Sequence, residues 1–445
     1  MCYTLNRLWA FNAITNEGTT SNDIGLDCGI NDDDYDEGKI DDLMEGEARL
    51  VLNLGNGKSC PVTLEAILIG HEDVVTDVAW KPSWQDCKGS PSLLSSSMDR
   101  SILIWRAEVE DEITEEALGV WSPIVRVGIA GGLLGGSVGS TLLGFVGACW
   151  YGSRIAGHGH GGAIYFWSNA SSGKDALEDE ENAHTWESIP GLSGHFGPVE
   201  DCCWEATRGS YLLSLSEDQT CRLWASPGDG YNDDGSLAKW REYSRPQVHG
   251  YNLKAITCIG VGRDVGGEPL HRFVSGADEK VLRSFDGPES TLLLLKQSGI
   301  RCEVDKEKRV DRAYIPSLGL SNNSEASEDV AGFRSVIEDS EKIKLPQERE
   351  LGVNTLWLES DKLFGHNTEI LTLASSTQSF LQDGEGFRNG NKVIVASSCK
   401  ARDVENASIL LWDVDQSKCV NVLKVSDPLN MPYHIFWYFY FLYII

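Results

Sequence analysis

Two sets of side chains in this sequence have the residue types of a Ser-His-Asp nucleophilic site. In each set a Gly-His dipeptide is followed by a serine and, four residues after that serine, by an aspartate. The sets are His71, Ser95 and Asp99, and His195, Ser214 and Asp218. A serine hydrolase activates its serine through a histidine that a carboxylate orients, and it often presents the serine on a Gly-x-Ser-x-Gly turn. Neither serine lies in such a turn, so the pattern does not indicate hydrolysis.

Two further motifs could bind a phosphate or a metal ion, but each lacks a part that its chemistry requires. Residues 57–59 read Gly-Lys-Ser, as at the end of a phosphate-binding loop, yet the glycine required five positions earlier is Leu52. His158 and His160 flank one glycine, but no matching Cys/His pair lies nearby. The sequence therefore predicts no catalytic residue, no cofactor and no metal site.

A tryptophan follows each aspartate at a fixed distance and gives the polar residues a structural role instead. Trp105 lies six residues after Asp99, and Trp224 lies six residues after Asp218. A two-stranded hairpin with the aspartate in its turn produces this offset, because side chains alternate between the two faces of a strand. The aspartate can accept a hydrogen bond from the histidine ring, and the indole N–H can only donate. We predict two buried structural tetrads: His71, Ser95, Asp99 and Trp105, and His195, Ser214, Asp218 and Trp224.

The tetrads belong to a repeat that recurs along the chain. Gly70–Trp105 and Gly194–Trp224 each contain a Gly-His, an apolar strand ending near a tryptophan, a serine-containing strand, an acidic turn and a strand that ends in tryptophan. Weaker copies occupy Ala156–Trp167, Phe273–Phe285 and Gly365–Asp413. A repeat of strands with this composition, recurring along the chain, is typical of β-propeller blades. The repeat resembles the WD-repeat family, and the fold class predicted from it is an all-β propeller.

Several stretches outside the generic repeat resemble, in their order along the chain, the Elongator subunit 2 family. They are Trp121–Gly128, Leu192–Val199, Arg245–Lys254, Val274–Arg283, Pro316–Asn322, Asn354–Trp357 and Lys362–His366. In the most distinctive stretch, 245–254, the family-signature residues are Arg245, Pro246, Gln247, His249, Gly250 and Tyr251. The resemblance implies two seven-bladed propellers in a longer chain, so this chain is expected to be a fragment with the later blades of the first propeller and the start of the second.

The repeat and the resemblance together divide the chain into six segments. They are a closing strand of an early blade at 1–30, an acidic insertion loop at 31–60, blades of the first propeller at 61–320, a polar linker at 321–350, the first blade of the second propeller at 351–425 and a divergent apolar tail at 426–445. The early blades are missing from this division, so unpaired strand edges are expected. The tail departs from the family pattern and is expected to be a gene-model artefact.

Composition limits the partners of the chain. Its 445 residues carry a formal net charge of −29, which disfavours direct binding to nucleic acid, since phosphate neutralisation needs clustered Lys and Arg. The apolar stretch at 434–445 is too short to span a bilayer, so no membrane contact is expected. No secretory signal is visible at the N-terminus. The 12 cysteines are therefore expected to be reduced thiols in the cytoplasm and nucleus.

The family resemblance implies a non-catalytic scaffold. Elongator modifies the wobble uridine of tRNA, and in this family the second subunit holds the catalytic subunit and the large subunit together. The expected partners are these Elongator subunits, with no small-molecule substrate. Two alternatives stay open: a generic WD-repeat adaptor, such as a ubiquitin-ligase substrate receptor or a signalling scaffold, and an enzyme in its own right. No nucleophile, base and orienting group in the sequence supports the enzyme.

Overall fold

The structure of the chain is a computed structural model. It describes residues 6–11, 49–55, 58–81, 92–107, 121–128, 144–151, 154–169, 186–206, 209–227, 240–259, 271–300, 302, 309–314, 323–324, 345–375, 394–401, 403, 406 and 408–424. The acidic run at 31–47, the middle of the predicted linker at 325–344 and the predicted tail at 426–445 lie outside these residues.

Antiparallel sheets form most of the described chain. Five of them have four strands each, and we call them blades I to V in chain order. Blade I contains β4 (Val75–Trp80), β5 (Ser92–Ser97), β6 (Ser101–Ala107) and β7 (Trp121–Gly128). Blade II contains β8 (Phe145–Tyr151), β9 (Arg154–Gly159), β10 (Ala163–Asn169) and β11 (Trp186–Ser193). Blade III contains β12 (Val199–Trp204), β13 (Leu212–Ser216), β14 (Thr220–Ala225) and β15 (Arg241–Val248).

The two remaining blades have the same strand order. Blade IV contains β16 (Leu253–Ile259), β17 (Arg272–Ala277), β18 (Val281–Asp286) and β21 (Leu358–Phe364). Blade V contains β22 (Ile370–Ser375), β23 (Ile394–Cys399), β24 (Ser408–Asp413) and β25 (Lys418–Lys424). Two short strands, β19 (Ala313–Tyr314) and β20 (Asn323–Ser324), pair with each other between β18 and β21.

The first strand of each blade packs against the first strand of the next. This contact runs from β4 to β8, β12, β16 and β22 in turn. Apolar side chains fill the space between blades: one buried cluster joins Val274 and Leu282 of blade IV to Ile370 and Val395 of blade V. All five residues of β13 are buried, as expected for a strand that is covered on both faces. The predicted all-β propeller fold is therefore confirmed.

A three-stranded sheet precedes the blades. Its order is β1 (Asn6–Phe11), β3 (Lys58–Leu68) and β2 (Arg49–Gly55). The predicted loop at 31–60 therefore extends too far, because strand structure begins at Arg49. Lys58 and Ser59 of the Gly-Lys-Ser motif are the first residues of β3. A phosphate-binding loop instead leads from a strand into a helix, whose N-terminus holds the phosphate.

Among the described residues, two helices interrupt the strands, and the repeat pattern did not predict them. Helix α1 (Glu289–Gln297) follows β18 and buries Leu292 and Leu295 in the same apolar cluster as Trp357. Helix α2 (Glu348–Asn354) begins inside the predicted linker at 321–350, and Glu350 accepts the Gln347 backbone N–H at 2.7 Å, which caps its first turn. Among the residues that the structure describes, no helix has the length and apolar content to cross a membrane.

Strand β21 lies shortly after residue 351, where the predicted second propeller begins. It lies within the segment assigned to a second propeller, yet it pairs with β18 and completes blade IV. Its pairing runs from Val281 opposite Phe364 to Asp286 opposite Leu358. The strand therefore belongs to the preceding blade. The assignment of the later residues to a second propeller stays a prediction.

Candidate functional site

In blade I the four tetrad residues form one hydrogen-bonded chain. The His71 ring places Nδ1 3.0 Å from Asp99 Oδ2 and Nε2 2.8 Å from Ser95 Oγ. The indole Nε1 of Trp105 donates to the same Ser95 oxygen over 2.8 Å. Asp99 also accepts the Ser101 backbone N–H and hydroxyl, at 2.8 and 2.6 Å. This chain of hydrogen bonds connects the loop before β4 to the β5–β6 turn and to the middle of the blade.

Blade III repeats this geometry. His195 places Nδ1 2.9 Å from Asp218 Oδ2 and Nε2 2.7 Å from Ser214 Oγ. Trp224 Nε1 donates to Ser214 Oγ over 2.8 Å. Asp218 also accepts the backbone N–H of Phe196 at 3.0 Å, which fixes the loop before β12. The structure therefore brings both predicted sets together.

One protonation state of the histidine satisfies every group in these chains. A neutral ring with its proton on Nδ1 donates to the aspartate, while Nε2 accepts the serine O–H, whose oxygen accepts the indole N–H. Burial outweighs the hydrogen bond that His195 donates to Asp218 and lowers the pKa of His195, which favours this neutral ring. Ser95 and Ser214 are fully buried, so a substrate has no access to either hydroxyl. The arrangement holds loops and strands together and is not built for catalysis.

Replacing Asp218 with alanine is expected to destabilise the fold by about 1–3 kcal/mol. The change removes the acceptor of the His195 ring, the Phe196 N–H and the Thr220 hydroxyl. Urea unfolding followed by circular dichroism measures the loss. The control is Asp278→Ala, whose partly exposed carboxylate forms an ion pair with the surface Lys400, so its loss should cost less than about 1 kcal/mol. Equal stability of Asp218→Ala and the wild type would contradict the structural role of the tetrad.

Blade V contains a third chain that the site prediction omitted. His366 Nε2 lies 2.6 Å from Ser397 Oγ, and Trp412 Nε1 donates to the same oxygen over 2.7 Å. Asn406 lies six residues before the tryptophan, at the position that aspartate occupies in blades I and III. Burial lowers the pKa of His366 to about 4, so this ring is also neutral. The Gly-His dipeptide before β22 was the sequence signal for this chain.

In blade IV the family-signature stretch supplies a variant of the tetrad. His249 Nε2 lies 3.1 Å from Glu279 Oε1, and the Ser275 hydroxyl donates to Gln247 Oε1 over 2.8 Å. Burial alone would raise the pKa of Glu279, but hydrogen bonds from His249 and Arg283 bring it to about 2. Glu279 therefore supplies the negative charge that aspartate supplies in the tetrads of blades I and III. Two signature residues, His249 and Gln247, thus have a structural explanation.

Two other signature residues, Arg245 and Pro246, bind the later segment of the chain that lies beside blade III. The Arg245 guanidinium makes two 2.9 Å hydrogen bonds to the carboxylate of Glu348 at the start of α2. Its Nε also donates to Glu242 over 2.9 Å. The Pro246 carbonyl accepts the Trp357 N–H at 2.9 Å. Residues after the predicted linker therefore lie along the outer strand of blade III, which blocks its free edge.

The histidine pair of blade II does not form a metal site. His158 Nδ1 lies 2.6 Å from the carbonyl oxygen of Val199 in blade III, and burial lowers its pKa to about 4. This ring therefore donates one hydrogen bond between blades. His160 lies in the turn after β9. Within the part of the chain that the structure describes, no three His, Cys, Asp or Glu side chains are grouped to hold a metal ion.

Sequence analysis missed two partly buried aspartates that connect neighbouring blades. Asp77 and Asp201 each lie six residues after a tetrad histidine. Asp77 accepts the Val78 N–H at 2.8 Å and the Ala148 N–H of blade II at 3.2 Å. Asp201 accepts the Ile256 N–H of blade IV at 2.8 Å. Burial raises the pKa of Asp77 to about 7 and the pKa of Asp201 to about 8. Their shared spacing from the histidine was the available signal.

One end of the blades exposes large apolar side chains. This end is the one at which the chain enters the first strand of each blade. The first strands of consecutive blades pack against one another, so the loops that lead into them are neighbours. The side chains there are Ile69, Phe196, Tyr251 and Phe364, which are 69%, 86%, 56% and 70% exposed. We call these four residues the loop face. Single exposed apolar residues are ordinary, but their recurrence shortly before the first strands of blades I, III, IV and V is typical of a surface that binds protein.

Comparison with known proteins agrees with this geometry. The family model described as WD domain, G-beta repeat matches residues 62–106 and 186–225, the two regions that hold the complete tetrads. Elongator complex protein 2 of Arabidopsis thaliana is 36% identical over 410 residues, which cover 85% of this chain and 43% of that protein.

Relatives from other kingdoms show the same relation. Elongator complex protein 2 of Mus musculus is 33% identical over 389 residues, covering 81% of this chain and 41% of its own length. The protein of that name from Saccharomyces cerevisiae is 29% identical over 418 residues, covering 89% of this chain and 46% of its own length. This chain therefore spans less than half the length of these curated relatives.

Proposed function

We propose that this chain, a WD-repeat relative of Elongator complex protein 2 along most of its length, is a non-catalytic scaffold subunit of an Elongator complex. The observation that carries the proposal is the similarity across 81–89% of the chain to proteins that bear this name. The similarity extends beyond the two matched repeats and includes the signature stretch at 245–251. A generic WD-repeat protein would share the tetrads without that stretch.

The proposed scaffold holds the catalytic subunit and the large subunit together for modification of the tRNA wobble uridine. The loop face supports this role, because exposed aromatic side chains are common at the centre of protein interfaces. The net charge of −29 disfavours direct contact with the tRNA phosphates. In this proposal the other subunits bind the tRNA, and the scaffold acts in the cytoplasm and nucleus.

The same proposal assigns no enzymatic activity to this chain. Support comes from the tetrads, since their serines are fully buried and their histidines are held in structural hydrogen bonds. A general base or nucleophile has to reach a substrate atom within hydrogen-bond distance. The polar chains described above point into the blades, so they cannot meet that requirement without local unfolding.

Co-purification with the other Elongator subunits tests the proposal. The tagged chain is expected to recover the catalytic and large subunits from the organism's own extract. The triple variant Phe196→Asp, Tyr251→Asp and Phe364→Asp should reduce that recovery at least tenfold, because it places charge in the apolar contact. Val353→Asp is the matched control, since Val353 on α2 is 63% exposed and is not one of the four loop-face residues.

Two outcomes would contradict the proposal. If the wild-type chain recovers neither subunit, the scaffold role is wrong, and intact wobble-uridine modification after deletion of the gene would favour the generic WD-repeat adaptor. If the triple variant recovers both subunits as well as Val353→Asp does, the loop face is not the docking surface. Circular dichroism of each variant shows whether the blades remain folded.

A further inference from the structure

Four cysteines form two thiol pairs between the inner strands of three consecutive blades. Cys149 in β8 and Cys202 in β12 place their sulfur atoms 3.5 Å apart. Cys203 in β12 and Cys258 in β16 place theirs 3.2 Å apart. All four are free thiols in the structure. Each pair therefore joins one blade to the next: blade II to blade III, and blade III to blade IV.

The strand geometry explains how adjacent cysteines serve opposite neighbours. Consecutive side chains of β12 point to opposite faces of its sheet. Cys202 therefore faces blade II, and Cys203 faces blade IV. The two pairs use different sulfur atoms and do not compete. An S–S bond is about 2.05 Å long, so each pair has to close by little more than 1 Å, which a change of side-chain rotamer can supply.

We propose that these two pairs are an oxidative modification site at which peroxide cross-links blades II, III and IV. In the first step the thiol of one partner reduces hydrogen peroxide, giving a sulfenic acid and water. In the second step the other thiol attacks that sulfur, which forms the disulfide and releases a second water. Each disulfide thus consumes two thiols and one peroxide, and a dithiol reductant reverses it. The proposal does not depend on the Elongator assignment.

The surroundings of the thiols set the order of the two reactions. Cys149 and Cys203 are partly exposed, whereas Cys202 and Cys258 are buried, so peroxide reaches one sulfur of each pair. The neighbouring thiol and burial raise the pKa of Cys202, while burial and the Cys258 thiol raise the pKa of Cys203. The thiolate is the nucleophile that attacks the peroxide oxygen, so the raised pKa of Cys203 makes its pair the slower one. Cys149–Cys202 is expected to close first.

Peptide mapping of the oxidised, folded chain tests the site. Trypsin places Cys149 in the peptide 127–154, Cys202 and Cys203 in 175–208, and Cys258 in 255–263. After mild hydrogen peroxide and blocking of free thiols, the expected product is these three peptides joined by two disulfides, separated again by dithiothreitol. Cys203→Ala should leave only the 127–154 link, and Cys202→Ala only the 255–263 link. The control Cys399→Ala should keep both.

A stability readout accompanies the map. Each disulfide closes a loop of more than 50 residues, so the oxidised chain should melt roughly 5–10 °C above the reduced chain. The double variant Cys202→Ala, Cys203→Ala should show no such rise, and its reduced melting point shows that it folds. Linkage of other cysteines while these four remain alkylatable would overturn the proposal. Oxidation of the four to sulfinic acids without cross-links would overturn it as well.

Discussion

Replacing Trp105 with alanine is expected to lower the free energy of unfolding by about 3–5 kcal/mol, the largest loss for any single substitution considered in this protein. Its side chain is 1% exposed and packs with Leu93 and Leu103. Gly70 leaves the space for the ring, since a Cβ there would lie 2.8 Å from Trp105 Cη2. Alanine would leave a cavity that this glycine cannot fill. It would also remove the indole donor to Ser95.

A companion variant separates packing from hydrogen bonding. Trp105→Phe keeps much of the ring volume and loses the indole N–H, so we expect a smaller cost, about 1–3 kcal/mol. Guanidinium-induced unfolding at constant pH, followed by circular dichroism, gives both values. Trp240→Ala is the control, and its loss of stability is expected to be smaller because Trp240 is only partly buried against its cluster. If Trp105→Ala and Trp105→Phe cost the same, packing of the ring does not dominate blade I.

The sequence identified blades I and III because each keeps every residue of the tetrad, so one spacing rule finds both hairpins. Blade II is harder to predict, because Gly157 occupies the serine position and Gly161 the aspartate position. The structure gives a reason for the first glycine: a Cβ there would lie 2.5 Å from Ile102 Cδ1 of blade I. A packing requirement from another blade replaced the polar pattern, and no local spacing reports such a contact.

The signature stretch is a second case in which contacts with distant residues leave no local sequence pattern. Its residues were singled out by resemblance, while their contacts come from distant parts of the chain. Arg245 binds Glu348, which lies 103 residues later. Segments that far apart in sequence leave no periodic signal, so neither α2 nor its place on blade III could be predicted. The tetrads could be predicted, because their members lie close in sequence: in blade I, His71 and Asp99 are 28 residues apart and Trp105 follows six residues later.

Raising the pH from 6.5 to 8 is expected to destabilise the fold by roughly 2 kcal/mol. Burial raises the pKa of Asp77 to about 7 and of Asp201 to about 8, from an ordinary value of 3.8. In this window the unfolded chain has released both protons and the native chain still holds part of them, so stability falls as pH rises. Asp201 accounts for most of the loss, since its pKa lies farther above 6.5.

Below this window the buried histidines act in the opposite sense. Burial lowers the pKa of His158 and His366 to about 4, so the unfolded chain binds more protons between pH 4 and 6.5, and stability rises with pH there. Burial would raise the pKa of Asp218, but the His195 hydrogen bond holds it below its ordinary value, so this contribution is lost on acidification. The Asp218 contribution is complete by pH 6.5, whereas each unfolded histidine is still half protonated there. Each of these histidines therefore adds roughly 0.4 kcal/mol of stability between pH 6.5 and 8, which partly offsets the loss from the two raised aspartates.

Substitution of Asp201 separates its contribution from the rest. Asp201→Asn keeps an acceptor for the backbone but cannot titrate, so we expect the loss between pH 6.5 and 8 to shrink by about 2 kcal/mol. Unfolding by guanidinium at four pH values in that window measures the slope. Asp73→Asn is the matched control, because Asp73 also accepts a backbone N–H but lies exposed before β4. A wild-type slope in Asp201→Asn would show that the carboxylate is already ionised at pH 6.5. Its hydrogen bonds from Cys202 and Ile256 would then outweigh burial.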